Sequence, residues 1–104
     1  MSLSDKLKKK IGAMPKLREV TFMGEVCATP RMSKSERDAF TAEYAAPETD
    51  DKRMAEMLCS LLVDPKTDKP VFEPDYVLNE MPDDMAFEIV RLVFGSGVER
   101  AEKN

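Results

Sequence analysis

The residue types that most often carry out chemistry in proteins are scarce in this sequence. Histidine is absent, which removes the commonest general base and the commonest metal ligand. The two cysteines, Cys27 and Cys59, lie 32 positions apart and form no CxxC pair, so they do not fit the spacing of a structural zinc site. The sequence therefore predicts a protein that is not an enzyme and that uses no cofactor and no metal ion.

The carboxylates are numerous, but their positions are typical of structural roles. Pairs of aspartates, at 50–51 and 83–84, come directly before apolar periodic segments. Carboxylates at helix starts accept hydrogen bonds from free backbone N–H groups and favour the positive end of the helix dipole. Residues 64–68 have some likeness to a calcium-binding loop, but Lys66 occupies the third position and no glycine follows. A polar turn is the better interpretation.

The charge of the chain is divided unevenly along its length. Residues 1–18 contain six basic residues and one acidic residue, a net charge of +5. The remaining residues contain 10 basic and 19 acidic residues, a net charge of -9. This division predicts a basic N-terminal arm that docks on an acidic surface, either of its own body, of a second copy or of another partner.

The basic arm has the pattern of an amphipathic helix. Leu3, Leu7 and Ile11 fall at i, i+4 and i+8 with lysines opposite, and Gly12 and Pro15 end the pattern. Three interpretations stay open: a terminal helix packed on the body, an arm that docks on another subunit, or a surface for membrane or nucleic acid. The cluster of lysines has no arginine and no aromatic residue, which argues against the third. We therefore expect no nucleic acid and no membrane among the partners.

The residues after the arm predict a mainly α fold that begins with a little β-structure. Alternating apolar residues over 17–29, with Gly24 in the middle, indicate either one kinked strand or a tight hairpin. Ser33 and Glu36 form an S-x-x-E capping box, which predicts a helix that runs to about Ala46.

Three more helices are predicted in the second half. The first has its apolar residues on one side, at Met54, Met57, Leu58, Leu61 and Leu62. A polar turn and a small extended segment near residues 70–73 follow. Pro74 then begins a short helix with the sequence PDYVLNEM, and Pro82 begins a longer one that is apolar around most of its circumference. A helix of that kind is buried either in the core or in an oligomer interface.

The domain organisation follows from these elements. Residues 1–15 form the basic amphipathic arm, residues 16–97 a single compact globular domain, and residues 98–104 a frayed C-terminal tail. No apolar run approaches the ~18 residues that a membrane span requires, and no signal-peptide pattern is present. We therefore expect a location inside the cell, where both thiols are reduced.

Four segments in this order resemble the tail assembly chaperones of long, non-contractile-tailed, lambda-like phages and prophages. They are residues 32–40 (MSKSERDAF), 61–64 (LLVD), 69–72 (KPVF) with Asp75 after them, and the apolar helix 87–94. The resemblance extends over roughly residues 17–97. The chain differs from the family pattern in the turn, where Asp-Lys-Pro stands in place of a sequence that commonly contains glycine, and in its basic N-terminal helix.

The resemblance implies a non-catalytic function in tail morphogenesis. Such proteins bind the tape measure protein, prevent its long apolar surface from aggregating, and help to recruit tail tube subunits in the host bacterial cytoplasm. The expected partners are thus the tape measure protein, the tail tube protein and further copies of the chain. The alternatives are a phage tail structural or completion protein, and a small nucleic-acid-associated regulator.

The expected contacts with these partners are apolar side chains on helices. Methionines are adaptable in shape, so they either fill gaps in a core or suit a surface that must accept varied helical segments. The candidate partner-binding residues are Leu3, Leu7, Ile11, Met54, Met57, Met81, Met85, Phe87 and Phe94.

Overall fold

The computed structural model describes residues 2–95, in which five helices and one β-hairpin follow one another. The mainly α fold class with an N-terminal hairpin is confirmed. The frayed tail predicted for residues 98–104 lies outside the described residues. The elements are α1 (Leu3–Gly12), β1 (Leu17–Phe22), β2 (Glu25–Pro30), α2 (Lys34–Ala45), α3 (Asp51–Leu61), α4 (Pro74–Asn79) and α5 (Asp83–Phe94).

The two strands form a tight hairpin, which decides between the two predicted arrangements. β1 and β2 pair antiparallel with Val20 opposite Cys27. Their connection has only two residues, Met23 and Gly24, with φ angles of 52° and 81°. Two positive φ angles are the requirement of a type I′ turn, whose twist matches that of the strands. Met23 therefore occupies a left-handed conformation that glycine or asparagine adopts more easily.

We expect the replacement Met23→Asn to raise the free energy of unfolding by about 0.5–1 kcal/mol, since asparagine tolerates the left-handed conformation at lower cost. The side chain of Met23 is 76% exposed, so little packing is lost. Urea denaturation measures the change. Met23→Ala is the matched control, because it removes the same side chain but keeps the unfavourable conformation. Equal stabilities of the asparagine and alanine variants would contradict the prediction.

Local caps determine where α2 and α3 begin. The Ser33 hydroxyl accepts from the Glu36 backbone N–H at 3.2 Å, and the Glu36 carboxylate accepts from the Ser33 N–H at 2.9 Å. These bonds confirm the predicted capping box, and the bond from the Ser33 backbone lowers the pKa of Glu36. Asp50 caps α3 by accepting from the Arg53 N–H at 2.8 Å. Both helices start at the predicted positions.

The short helix α4 ends earlier than the sequence predicts. The expected segment PDYVLNEM extends to Met81, but the helix ends at Asn79. Met81 precedes Pro82, and a residue before proline is driven out of the helical region by the proline ring. Pro82 is the N-cap of α5, not its first residue, and Gly95 ends α5 with a φ of 75°.

The turn after α3 attaches the chain to the hairpin. Val63 exchanges two backbone hydrogen bonds with Ala28 of β2, and it also bridges to Pro70. The predicted extended segment near residues 70–73 is thus reduced to one bridge. The turn needs one left-handed residue, and Asp68 fills that position with a φ of 60°. Aspartate tolerates this conformation, so the turn closes without a glycine.

The core lies between the hairpin, α3 and α5. The buried cluster contains residues from all three: Val20, Cys27, Leu58, Leu61, Leu62, Ile89, Val90 and Phe94. Helix α3 is buried on more than one side, because β2, α4 and α5 all pack against it. Its position is therefore central, and the exposed elements of the molecule are arranged around it.

One polar atom in the core lacks a partner. The hydroxyl of Thr29 is completely buried and makes no hydrogen bond among the described residues. We expect Thr29→Val to raise the free energy of unfolding by about 1 kcal/mol, because the isosteric change removes an unsatisfied buried group. Thermal and urea denaturation measure it. Thr29→Ser, which keeps the hydroxyl and loses the methyl group, is expected to be destabilised. A destabilised valine variant would show that the hydroxyl contributes to stability.

Candidate partner-binding surface

Helix α1 forms because both of its ends are favourable for a helix. Ser2 is the N-cap, and its hydroxyl accepts from the Asp5 N–H at 3.1 Å. Asp5 lies in the first turn and Lys9 and Lys10 in the last, so the charges match the helix dipole. A helix of ten residues is nevertheless marginal in water without packing. A partner that packs on its apolar face would therefore also stabilise the helix.

The apolar face of α1 is exposed. Leu3, Leu7 and Ile11 are 72%, 49% and 65% exposed, and no residue of the helix is buried. The structure therefore does not pack this apolar face against the rest of the described chain. Covering an exposed Leu or Ile side chain is worth about 1.5–3 kcal/mol, so a partner that covers the stripe gains appreciable free energy. We call Leu3, Leu7, Ile11 and Met14 the α1 stripe.

The stripe leads into a groove with a volume of about 750 Å³. The groove lies among the C-terminal end of α1, the open end of the hairpin, the start of α2 and the C-terminal end of α5. Ile11 and Met14 belong to both the stripe and the groove, so the two surfaces are continuous. The further apolar residues that line it are Leu17, Met32, Val93 and Phe94.

The polar residues of the groove are mainly cationic. Lys16, Arg18, Arg31 and Arg37 line it, and none of the carboxylates within residues 2–95 does. Within residues 2–95 none of these four cations forms an ion pair; the ion pairs there use Lys34, Arg53 and Arg91. This is a concentration of uncompensated positive charge in a chain whose net charge is -4.

Three of these cations are held in place by backbone carbonyl groups. Arg18 donates from Nη2 to the Val93 carbonyl at 3.1 Å, and Arg37 donates from Nη2 to the Phe94 carbonyl at 3.1 Å. Arg31 donates from Nε to the Pro15 carbonyl at 2.9 Å. A guanidinium group has five N–H donors, so each arginine keeps donors for an anion. Two of them also satisfy carbonyls at the negative end of α5.

The other predicted partner-binding residues are dispersed over the molecule. Phe87 is 47% exposed, while Met54, Met81 and Met85 are half-buried. Met85 lines a smaller groove beside the hairpin turn, about 320 Å³ in volume. The structure therefore brings Leu3, Leu7 and Ile11 together but does not unite them with these four residues.

Met57 and Phe94 are 4% and 8% exposed, so this conformation does not offer them to a partner as free side chains. Met57 is buried because α3 is covered on both flanks of its predicted stripe. Phe94 packs on Phe40, with ring centroids 5.5 Å apart, and the Arg37 guanidinium lies 5.7 Å from its ring centre. Phe94 lines the groove although it is largely buried.

The groove arginines were not among the residues predicted to bind a partner. Arg18, Arg31 and Arg37 are isolated in the sequence, on β1, after β2 and on α2, and they follow no periodicity. The excess of basic residues over 1–18 includes Arg18 but gives no sign of the other two. Only the tertiary fold brings them together.

The cysteines do not form a reactive site. Cys27 and Cys59 are free and buried. Burial raises the pKa of both thiols, and nearby carboxylates (Glu25 and Asp64 for Cys27, Glu73 for Cys59) raise it further. A thiol reacts as its thiolate, so both are poor nucleophiles. Over residues 2–95 no three acidic, cysteine or histidine side chains come together to hold a metal ion.

Two further findings concern membrane-spanning helices and similarity to known proteins. Among the described residues, none of the helices has the length and apolar content needed to cross a membrane. The chain matches no protein-family model, and no curated protein or solved structure is significantly similar to it.

Proposed function

We propose that this protein is a non-catalytic tail assembly chaperone of a long, non-contractile-tailed phage or prophage. In the host bacterial cytoplasm it binds the tape measure protein, keeps the apolar surface of that protein from aggregating, and helps to recruit tail tube subunits. The observation that carries the proposal is the exposed α1 stripe, an apolar helix face that the described chain leaves uncovered. An amphipathic helix is a common means of binding a second helical segment.

A chaperone must also limit the exposure of this surface when no partner is bound, and self-association is a simple way. The segment 70–90 contains six carboxylates and no basic residue, and it exposes Val71, Tyr76, Leu78 and Phe87. Its charge and apolar content are complementary to the basic α1. The free protein is thus proposed to associate with itself through α1 on the α4–α5 surface of another copy.

Light scattering on the full chain and on a chain without residues 1–15 tests this self-association. Equal, monomeric masses would contradict it.

Co-expression with the tape measure protein of the same phage tests the principal function. The tagged chain is expected to co-purify with that protein and to move it from the insoluble to the soluble fraction. A failure of both would exclude the proposal.

Mass spectrometry of finished tails separates the chaperone from a structural or completion protein. A chaperone is present during assembly and absent from purified tails, whereas a structural component remains in them. Detection of the chain in tails at a stoichiometry similar to that of known tail proteins would favour the structural alternative.

A further inference from the structure

We infer that the basic groove together with the α1 stripe is a docking site for an acidic amphipathic helix of a partner protein. The inference deepens the proposed function, on which it rests for the existence of a partner, by stating the chemistry of the segment that the partner contributes. It predicts a helix with an apolar stripe that is flanked by glutamates or aspartates.

The charge of the groove determines the charge of its occupant. Four cations line the groove, and among the described residues no carboxylate lines it and none forms an ion pair with these cations. Hydrogen bonds between a guanidinium and a carboxylate are about twice as strong as those between neutral groups. Arg18, Arg31 and Arg37 are already oriented by one backbone carbonyl each, so less side-chain entropy is lost when a carboxylate binds.

The apolar walls determine that the occupant is a protein segment and not the backbone of a nucleic acid. Six aliphatic, methionine or aromatic side chains and two prolines line the groove. The phosphate backbone of a nucleic acid has no apolar surface to match them. Binding of a single strand usually depends on exposed aromatic rings. Phe94 is the aromatic residue among the described lining, and it is only 8% exposed. An apolar helix face flanked by carboxylates matches both the apolar side chains and the cations of the groove.

The continuity of the groove with α1 indicates that the occupant is a helix. The α1 stripe follows the i, i+4, i+8 spacing along a helix of ten residues, about 15 Å long, and passes into the groove at Ile11 and Met14. A second helix that lies along α1 can place its own apolar ridge against this stripe. Its end then reaches the groove, where its carboxylates meet the arginines.

A displayed library of helix-forming peptides of about 18 residues, or five turns, tests the inference. The peptides have a fixed leucine stripe, and the flanking positions vary among glutamate, glutamine and lysine. Selection on the full-length protein is expected to enrich glutamate. Enrichment of lysine, enrichment without preference for charge, or recovery of no binder would overturn the inference. The library contains no phage protein, so the inference and the proposed function can fail separately.

Variants of the full chain then locate the binding site. The double variant Lys16→Gln, Arg31→Gln is expected to bind the best selected peptide about tenfold more weakly or worse, measured by fluorescence anisotropy. Neither residue caps a helix, so the fold is expected to persist. The matched control is Lys52→Gln with Lys66→Gln, which removes the same number of positive charges at exposed residues outside the groove and is expected to keep the affinity within about twofold. Equal affinities of the two double variants would overturn the assignment.

Two further measurements distinguish other occupants. The proposed self-association through α1 is expected to survive the double variant Lys16→Gln, Arg31→Gln in sedimentation velocity. If the double variant abolishes it, the groove holds a second copy. If a single-stranded oligonucleotide displaces the peptide at equal concentration, the groove binds nucleic acid. Either result would overturn the inference, and the absence of both supports it.

Discussion

Replacement of Leu61 by alanine is expected to lower the free energy of unfolding by about 3 kcal/mol, within the range of 2–5 kcal/mol for buried leucines. Leu61 has no exposed surface and lies in the cluster that joins the hairpin, α3 and α5. Its removal leaves a cavity that three different elements would have to close together. Because the whole stability of a domain is about 5–15 kcal/mol, this one change should remove a large part of it.

Urea denaturation followed by circular dichroism measures this effect. Leu3→Ala is the matched control, since it is the same substitution at a side chain that is 72% exposed. Its effect is expected to stay within about 0.5 kcal/mol. Equal urea midpoints for the two variants would contradict the placement of Leu61 at the centre of the core.

The double variant Leu7→Gln, Ile11→Gln is expected to reduce the proposed binding to the tape measure protein at least about tenfold, with little change in stability. Each side chain that a partner covers is worth about 1.5–3 kcal/mol, so the loss of two exceeds the 1.4 kcal/mol of a tenfold change. The cost of association is the same for the variant and the parent protein and does not enter the comparison. Glutamine is a good helix former, so α1 is expected to remain helical. A pull-down titration measures the binding.

The control for this experiment changes two exposed apolar residues elsewhere. Met23→Gln with Val26→Gln removes exposed apolar surface at the hairpin turn, away from α1. It should leave binding unchanged. If this variant lost as much binding as the α1 variant, recognition would depend on exposed apolar area in general and not on the α1 stripe.

Helix starts that depend on residues close together in the chain could be predicted from the sequence. The capping box of Ser33 and Glu36 and the cap at Asp50 use residues three positions apart, and both helices start where these caps predict. The hairpin was ambiguous because its turn, Met23-Gly24, lacks the usual asparagine or aspartate before glycine. The positive φ of Met23 is imposed by the strand pairing on either side of it.

Burial on α3 and the groove depend on contacts that periodicity does not describe. A one-sided stripe was predicted, but Ala55 and Cys59 are buried too, because other elements cover both flanks of the helix. Arg18 meets Val93 across 75 positions and Arg37 meets Phe94 across 57. No local pattern predicts such pairs, so the basic groove could not be foreseen from the sequence.

The attachment of α5 to earlier parts of the chain has a consequence for folding during synthesis. Ile89, Val90 and Phe94 supply part of the core, and the end of α5 is the acceptor for arginines of β1 and α2. The 37 residues between α2 and α5 take roughly 2–7 s to translate at 5–20 residues per second. During that interval Val20 has no α5 to pack against, and neither does Leu58 once it has been synthesised. A nascent chain of this protein is therefore exposed to aggregation until its last described helix has left the ribosome.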